Sequence, residues 1–234
     1  MKPILFNTDM VRAILGDRKT VTRRVIKFPK EMTGRLPENG AKDHIFYPGG
    51  IKRPPYQIGD ILYVRETFFE YNGRYEYRAD DKHLRLNELI GGKEFFKWRP
   101  SIHMPKEAAR IYLRVTDVRV ERLQDLSNED VVREGVRPKW YKPYLTDGKR
   151  SIPTYGRDQL GRPYCCVSHD EGCLDDPCQN RDAYERECHQ MPFSEVWNST
   201  VKPADRDRYG WNANPYVWVI EFERISKEEA MKHD

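Results

Sequence analysis

The spacing of apolar residues predicts a short helix and then a strand near the amino terminus. Apolar side chains in residues 10–15 recur at helical spacing, and Asn7 or Thr8 can cap the helix. Gly16 offers a left-handed stop for it. Residues 20–26 are rich in β-branched side chains and alternate crudely, which predicts a strand.

The clearest apolar pattern in the chain spans residues 109–123. Branched apolar residues alternate there with Arg and Thr, which predicts one long strand with a slip in the alternation near Asp117. Other strands are expected at 61–64, after a turn, and near 75–77. Residues 216–222 predict a buried closing strand.

Two further helical segments are expected. Residues 126–135 predict a short helix that Ser127 caps, with Asp130 completing an approximate capping box and Gly135 ending the helix. A helical turn is expected at 193–197.

Two stretches rich in proline, glycine and polar residues interrupt these elements. Residues 28–57 and 137–192 show little periodicity and predict long loop insertions. Five or six strands with short helices and no alternating strand–helix rhythm predict an α+β fold, a small mixed β-barrel. We therefore expect residues 1–234 to form a single domain that carries two insertions.

Composition excludes several classes of protein. With 234 residues, of which 38% are hydrophobic and 12% aromatic, the chain can bury a core, which excludes wholesale disorder. No apolar run approaches the roughly 18 to 20 residues that a bilayer crossing needs, so we expect a cytoplasmic protein with no membrane partner. The formal net charge of +4 permits an RNA partner without identifying one.

Basic and hydroxyl side chains are concentrated in residues 15–24, LGDRKTVTRR, where a loop is expected to enter a strand. A phosphate loop is excluded because only one glycine precedes Lys19. Two alternatives remain open, a solvated basic turn and a catalytic pair. In the second, a desolvated and neutral Lys19 acts as the base for the hydroxyl of Thr22.

This segment resembles the ASCH domain, a PUA-like barrel found in RNA-associated proteins. The resemblance is carried by the run Arg18-Lys19-Thr20-Val21-Thr22 with Arg24, and by the strand entered at Gly59-Asp60. More narrowly, the chain is similar to bacterial amidohydrolases that remove the acyl group from N4-acetylcytidine. Members usually carry glycine where Asp17 stands. The rest of the chain resembles the larger prophage-type ASCH proteins.

The resemblance implies roles for three residues. In the amidohydrolases a lysine accepts a proton, a threonine three residues later is the nucleophile, and a glutamate on a later short helix is the proton donor. These roles fall on Lys19, Thr22 and Glu134. Independently, the helix dipole disfavours a carboxylate at Glu134 by roughly 0.3 to 1 kcal/mol, which suits a proton donor. The alternative is that Glu134 is an exposed helix residue with no catalytic role. Arg24 or a backbone amide near Thr22 could stabilise the oxyanion.

Other candidates for substrate binding lie elsewhere in the chain. Trp98 and His103 in KWRPSIHMP, and Trp211 in YGWNANPY, could stack on a nucleobase or simply pack the end of the barrel. Arg65 and Glu66 could line the mouth of the site or pair with surface neighbours.

The cysteines form a separate question. Zinc-like spacing is met only by Cys165 with His169 and by Cys173 with Cys178, so a structural zinc and free thiols both remain open. The complete set is Cys165, Cys166, Cys173, Cys178 and Cys188. The sequence pattern of a zinc deaminase is absent, so no metal is expected in the chemistry.

Together these features predict a hydrolase that needs no cofactor. The expected activity is removal of the acyl group from N4-acylated cytosine nucleosides, with a small-molecule nucleoside as the substrate. The alternative is a non-catalytic ASCH module that binds RNA or a modified nucleobase.

Overall fold

A computed structural model describes residues 1–28, 44–47, 50–71, 73–80, 97–136, 145–146, 149–150 and 191–232. The strands in those ranges are β1 (Lys2–Leu5), β2 (Val21–Val25), β3 (Ile45–Tyr47), β4 (Gly50–Lys52), β5 (Ile61–Arg65), β6 (Phe68–Tyr71), β7 (Arg74–Tyr77), β8 (Tyr112–Arg122), β9 (Leu145–Thr146), β10 (Lys149–Arg150) and β11 (Tyr216–Ile225). The helices are α1 (Thr8–Leu15), α2 (Asn128–Arg133), α3 (Met191–Thr200), α4 (Arg206–Tyr209) and α5 (Lys227–Met231).

A mixed five-stranded sheet, with short helices around it, makes the fold α+β as the sequence predicts. Its strand order is β1, β5, β8, β11, β2, and only the β1–β5 pair is parallel. The three shorter pairs, β3–β4, β6–β7 and β9–β10, are antiparallel and lie outside this sheet.

The sheet is open, so the prediction of a closed barrel is wrong for the described part of the chain. After β1 the amide of Phe6 donates to the carbonyl of Arg65, which extends the pairing with β5 and leaves β1 unpaired with β2. Across the gap between the two edge strands, Arg24 Nη2 donates to the carbonyl oxygen of Leu5 at 2.9 Å. A side chain, and not a backbone ladder, therefore connects the edges.

The longest pairing joins β8 and β11 and contains the predicted slip. Glu221 pairs with Asp117 while Phe222 pairs with Val115, so Thr116 is the extra, exposed residue of a β-bulge. A bulge bends its strand and increases the local twist. The expectation of an irregularity near Asp117 is confirmed.

The capping predictions are confirmed, but the end of α1 differs. Asn7 accepts a hydrogen bond from the amide of Met10, and Ser127 forms a reciprocal capping box with Asp130. Gly16 has φ of −93°, so it is not the left-handed stop that was expected. Its amide is still bonded to Arg12, as in a helix, and the left-handed residue is Asp17 at φ +54°.

The two faces of the sheet carry different hydrophobic cores. Phe6, Val64 and Ile220 belong to the cluster under α1, which we call core 1. Val219 belongs to a second cluster, core 2, against which Phe193 packs from α3. The helical turn expected at 193–197 is thus part of a longer helix that closes core 2.

The predicted insertions contain short hairpins. In the first, β3 and β4 form an antiparallel hairpin with Tyr47 opposite Gly50, a pairing that the sequence pattern does not predict. In the second, β9 and β10 are paired, and the rest of that prediction up to residue 190 lies outside the described residues. No helix in the described ranges is long and apolar enough to cross a membrane.

Gly135 provides a test of the packing between α1 and the end of α2. At φ +84° it has no room for a side chain, because a Cβ there would lie 2.6 Å from Ala13 Cβ. We expect Gly135→Ala to lower the free energy of unfolding by about 1–2 kcal/mol of backbone strain plus about 1–3 kcal/mol of overpacking. Urea unfolding followed by tryptophan fluorescence measures both contributions together.

Gly59→Ala is the matched control, because Gly59 has φ of +87° with nothing within 4 Å of a Cβ. It should show only the backbone strain. Equal losses in the two variants would contradict the close approach of Gly135 to α1.

Candidate active site

Two segments that are far apart in sequence meet at the edge of the sheet. Lys19 and Glu134 form an isolated antiparallel β-bridge, and the amide of Thr20 donates to the carbonyl of Arg133 at 2.8 Å. Arg18 Nη1 donates to the carbonyl of Gly135 at 3.1 Å. The end of α2 is thereby held against the turn that precedes β2.

Lys19 is buried and forms an ion pair inside this junction. Its side-chain nitrogen Nζ lies 2.5 Å from Glu134 Oε2, 3.0 Å from the Glu134 carbonyl oxygen and 2.8 Å from the Val21 carbonyl oxygen. Lys19 is 2% exposed and Glu134 is 7% exposed. An ammonium group has three donors, and all three have an acceptor here.

The second oxygen of the Glu134 carboxylate contacts another cation. Arg23 Nη1 donates to Glu134 Oε1 at 3.2 Å, and Arg23 Nη2 reaches Asp130 at 3.1 Å and Glu121 at 3.2 Å. Sequence reasoning missed Arg23 as a site residue, because it belongs to a basic run that resembles solvated surface. The only sequence signal for Arg23 is its position next to Thr22, on the strand that begins two residues after Lys19.

Burial lowers the pKa of the Lys19 ammonium below that of a solvated lysine. The charge and hydrogen bond of Glu134 oppose this shift without reversing it, and the charges of Arg24 and Arg23 add to it. The ammonium nitrogen lies 5.7 Å from the centre of the Phe6 ring. A lysine in such an environment gives up its proton more readily than a surface lysine does, as a general base requires.

Thr22 lies on the face of β2 that is turned toward core 1. Its register partner on β11 is Ile220, and that of Arg24 is Trp218, both of which are core 1 residues. Directly opposed residues of antiparallel strands share a face. Thr22 is 3% exposed, and its hydroxyl forms no hydrogen bond with a residue that the structure describes. In particular, Lys19 Nζ does not bond to it.

Arg24 connects this face of β2 to a surface cleft of about 430 Å³. Its guanidinium lies 5.4 Å from the Phe6 ring centre, on the same ring that Lys19 approaches. Burial lowers the pKa of Arg24. Thr22 and Lys19 do not line the cleft. Arg24 does line it and also approaches the Phe6 ring beside Lys19, so Arg24 connects the cleft with the buried ion pair.

Arg65 and Glu66 lie at the end of β5, which is separated from β2 by β8 and β11 in the sheet. Arg65 pairs in register with Leu5, the residue that Arg24 contacts, and donates a hydrogen bond to the carbonyl of Ile102. Glu66 is buried against Arg110, with contacts at 2.9 and 3.0 Å, and burial raises its pKa. Glu66 therefore pairs with Arg110 in a buried position and not at the surface. A role for Arg65 or Glu66 at the mouth of the site stays a prediction.

The two remaining tryptophan candidates pack on other aromatic rings, whereas His103 is exposed. The Trp98 ring meets the Phe69 ring edge to face at 5.0 Å, and His103 is exposed on a 3₁₀ turn. Trp211 packs edge to face on Phe193 at 6.0 Å, in core 2 on the other face of the sheet. A stacking role for these three residues stays a prediction.

A metal site is not formed by the residues that the structure describes, since they hold no group of three or more His, Cys, Asp or Glu suited to one. The five cysteines with His169 and His189 lie between 165 and 189, outside the described ranges, and so does the structural zinc that was considered for them.

Comparison with known proteins adds no relative. No family model matches the chain, and neither a curated protein nor a solved structure matches it. The functional argument therefore stands on the residues themselves.

The buried pair can be tested through stability. Glu134→Ala leaves Lys19 and one guanidinium nitrogen of Arg23 without their carboxylate, which should lower the free energy of unfolding by about 3–5 kcal/mol. Glu223→Ala is the matched control, because Glu223 pairs with Arg114 at 3.0 Å but is half exposed. It should cost at most about 1 kcal/mol in urea unfolding. Similar losses would mean that Glu134 is not a buried partner.

Proposed function

We propose that this chain is an ASCH-like amidohydrolase that removes the acyl group from N4-acylated cytosine nucleosides. Thr22 is the nucleophile, Lys19 is the base and Glu134 is the acid. The observation that carries the proposal is the buried 2.5 Å contact between Lys19 Nζ and Glu134 Oε2. Lys19 stands three residues before Thr22 in the sequence.

The contact supplies both protonation states that the reaction needs. An ammonium beside a carboxylate and a neutral amine beside a carboxylic acid differ only in the position of one proton along the Nζ–Oε2 hydrogen bond. Burial disfavours the charged form of Lys19 and lowers its pKa. Transfer of that proton leaves Lys19 able to accept a proton and Glu134 able to donate one.

Acyl transfer then follows with protons conserved. The neutral amine of Lys19 takes the hydroxyl proton of Thr22 as the Thr22 oxygen bonds to the acyl carbon. Glu134 protonates the N4 nitrogen as its bond to the acyl carbon breaks, which releases cytidine. To reach Thr22, the Lys19 amine exchanges its contact with the Val21 carbonyl for the neighbouring hydroxyl on β2. Catalytic hydrogen bonds are often completed only when the substrate binds.

Hydrolysis of the acyl-threonine uses the same two groups. After acyl transfer the pair again holds one proton, and its shift from Lys19 to Glu134 restores the neutral amine. Lys19 then removes a proton from water as the water oxygen attacks the ester, and Glu134 returns a proton to the Thr22 oxygen. The acid product leaves as a carboxylate and releases one proton to solvent.

Two further features support the ASCH resemblance. Asp17 has φ of +54°, the left-handed conformation in which glycine is preferred, and glycine is the usual residue of ASCH proteins there. The open sheet also curves far enough for Arg24 to contact Leu5 on the opposite edge.

A non-catalytic binding module is the second candidate. The observation in its favour is that all three donors of the Lys19 ammonium already have acceptors, as in a structural ion pair. In that case the basic cleft beside Arg24 would bind RNA or a modified base without any reaction.

Thr22 gives the sharpest test of the enzyme. Thr22→Val replaces the hydroxyl by a methyl group of similar size and should abolish release of cytidine from N4-acetylcytidine, by about a thousandfold or more. Thr22→Ser is the matched control, because it keeps the hydroxyl and should retain measurable turnover. Chromatographic assay of cytidine measures the activity, and thermal unfolding verifies that both variants fold.

Equal turnover in Thr22→Val and Thr22→Ser would overturn the nucleophile. Absence of turnover in the unmodified protein, together with binding of RNA that weakens steeply with salt, would favour the binding module.

The shared proton predicts a particular pH dependence. The active pair holds one proton, so kcat/KM should fall on the alkaline side as the last proton leaves. Because the pKa of Lys19 is lowered, this fall should be centred below pH 10.5, the ordinary lysine value.

Glu134→Gln removes the acid and leaves only the requirement for a neutral Lys19. Its residual kcat/KM should therefore rise with pH instead of falling. Because Glu134 raises the pKa of Lys19, the rise should occur at lower pH than the fall in the unmodified protein. A fall in both proteins would contradict the sharing of one proton between these two groups.

A further inference from the structure

The cleft beside Arg24 has a one-sided charge. Its volume of about 430 Å³ lies within the range of about 300–1,000 Å³ that is usual for small-molecule sites. Four of the described residues that line it are cationic and none is acidic. The cations are Arg24, Lys27, Lys52 and Arg53.

One of these cations, Arg24, forms no ion pair with a carboxylate among the described residues. Arg24 is half-buried, and its guanidinium donates a hydrogen bond to the neutral carbonyl of Leu5. Elsewhere in the described chain the buried guanidinium of Arg23 contacts three carboxylates. An arginine that is not paired with a carboxylate provides hydrogen-bond donors for an anion, and phosphate matches its planar fork.

The cations belong to two walls of the cleft. Lys27 follows β2, whereas Arg53 follows β4 of the hairpin in the first insertion. Tyr56 stands near the hairpin with its hydroxyl donating to the Pro3 carbonyl at 2.8 Å, which fixes the ring beside the cations. A ligand between the walls would meet positive charge from both sides.

The distance between Thr22, the proposed nucleophile, and the cations of the cleft matches the length of a nucleotide. At about 3.3 Å per strand residue, Arg24 lies roughly 7 Å along β2 from Thr22, and Lys27 lies about 16 Å away. The two ends of a cytidine nucleotide, its acylated amino group and its phosphate, are separated by a length between these two values.

We infer that the cleft binds the phosphate of a phosphorylated N4-acylcytidine, so that the preferred substrate is a mononucleotide and not the free nucleoside. The inference takes the identity of the base from the proposed function. The phosphate site itself depends only on the cleft.

Calorimetric titration of the full chain with cytidine 5′-monophosphate and with cytidine tests the phosphate site without catalysis. The monophosphate should bind at least about tenfold more tightly than cytidine. Lys27→Gln and Arg53→Gln, one from each wall, should each weaken binding of the monophosphate by about threefold to tenfold. Lys202→Gln is the matched control, because Lys202 is exposed and lies outside the cleft. This substitution changes the net charge by the same amount as the other two.

Equal affinity for the monophosphate and cytidine would overturn the inference, and so would an equal loss of affinity in Lys202→Gln. A preference for the monophosphate without hydrolysis of any acylated cytidine would support the phosphate site and overturn only the proposed reaction.

A single-stranded RNA pentamer distinguishes the source of the phosphate. The inference predicts no gain over the monophosphate. Binding more than about tenfold tighter, with a log–log salt slope steeper than about −2, would require several phosphate contacts and would overturn the mononucleotide in favour of an RNA strand.

Discussion

One buried ion pair, between Lys19 and Glu134, connects the two segments of the candidate site. The two residues are 115 positions apart in sequence, and the contact between them is accompanied by backbone pairing. Charges removed from water are costly unless they are paired and bonded, so the junction is stable only when both residues are present. The same desolvation lowers the pKa of Lys19, so one physical constraint serves both folding and the proposed chemistry.

The charges on the other face of the sheet hold the Glu134 carboxylate in place. Arg23 lies between Glu134 and a set of alternating charges that includes Arg119, Glu221 and Arg133. The hydrogen bond from Arg133, with further help from Arg119, lowers the pKa of Glu221. The carboxylate of Glu134 thus contacts Arg23, which is held by two further carboxylates, through one oxygen and Lys19 through the other.

The sequence predicts correctly those features that depend on residues close together in the chain. The side chains of Asn7 and Ser127 cap their helices within three positions, and both caps were predicted. The left-handed turn after α1 was assigned to Gly16 because glycine is the usual choice, although Asp17 occupies it. Arg23 was missed because its three carboxylate partners come from distant parts of the chain, which no local pattern reveals.

The second insertion leaves and re-enters the fold at two anchored points. Gly135, just before it, is locked between Ala13 and Lys19, and α3, just after it, is fixed by Phe193 in core 2. For a segment whose two ends are fixed, each doubling of length costs only about 0.6 kcal/mol of closure entropy. Insertions or deletions between these two anchors can therefore accumulate over generations without altering the contact between Lys19 and Glu134.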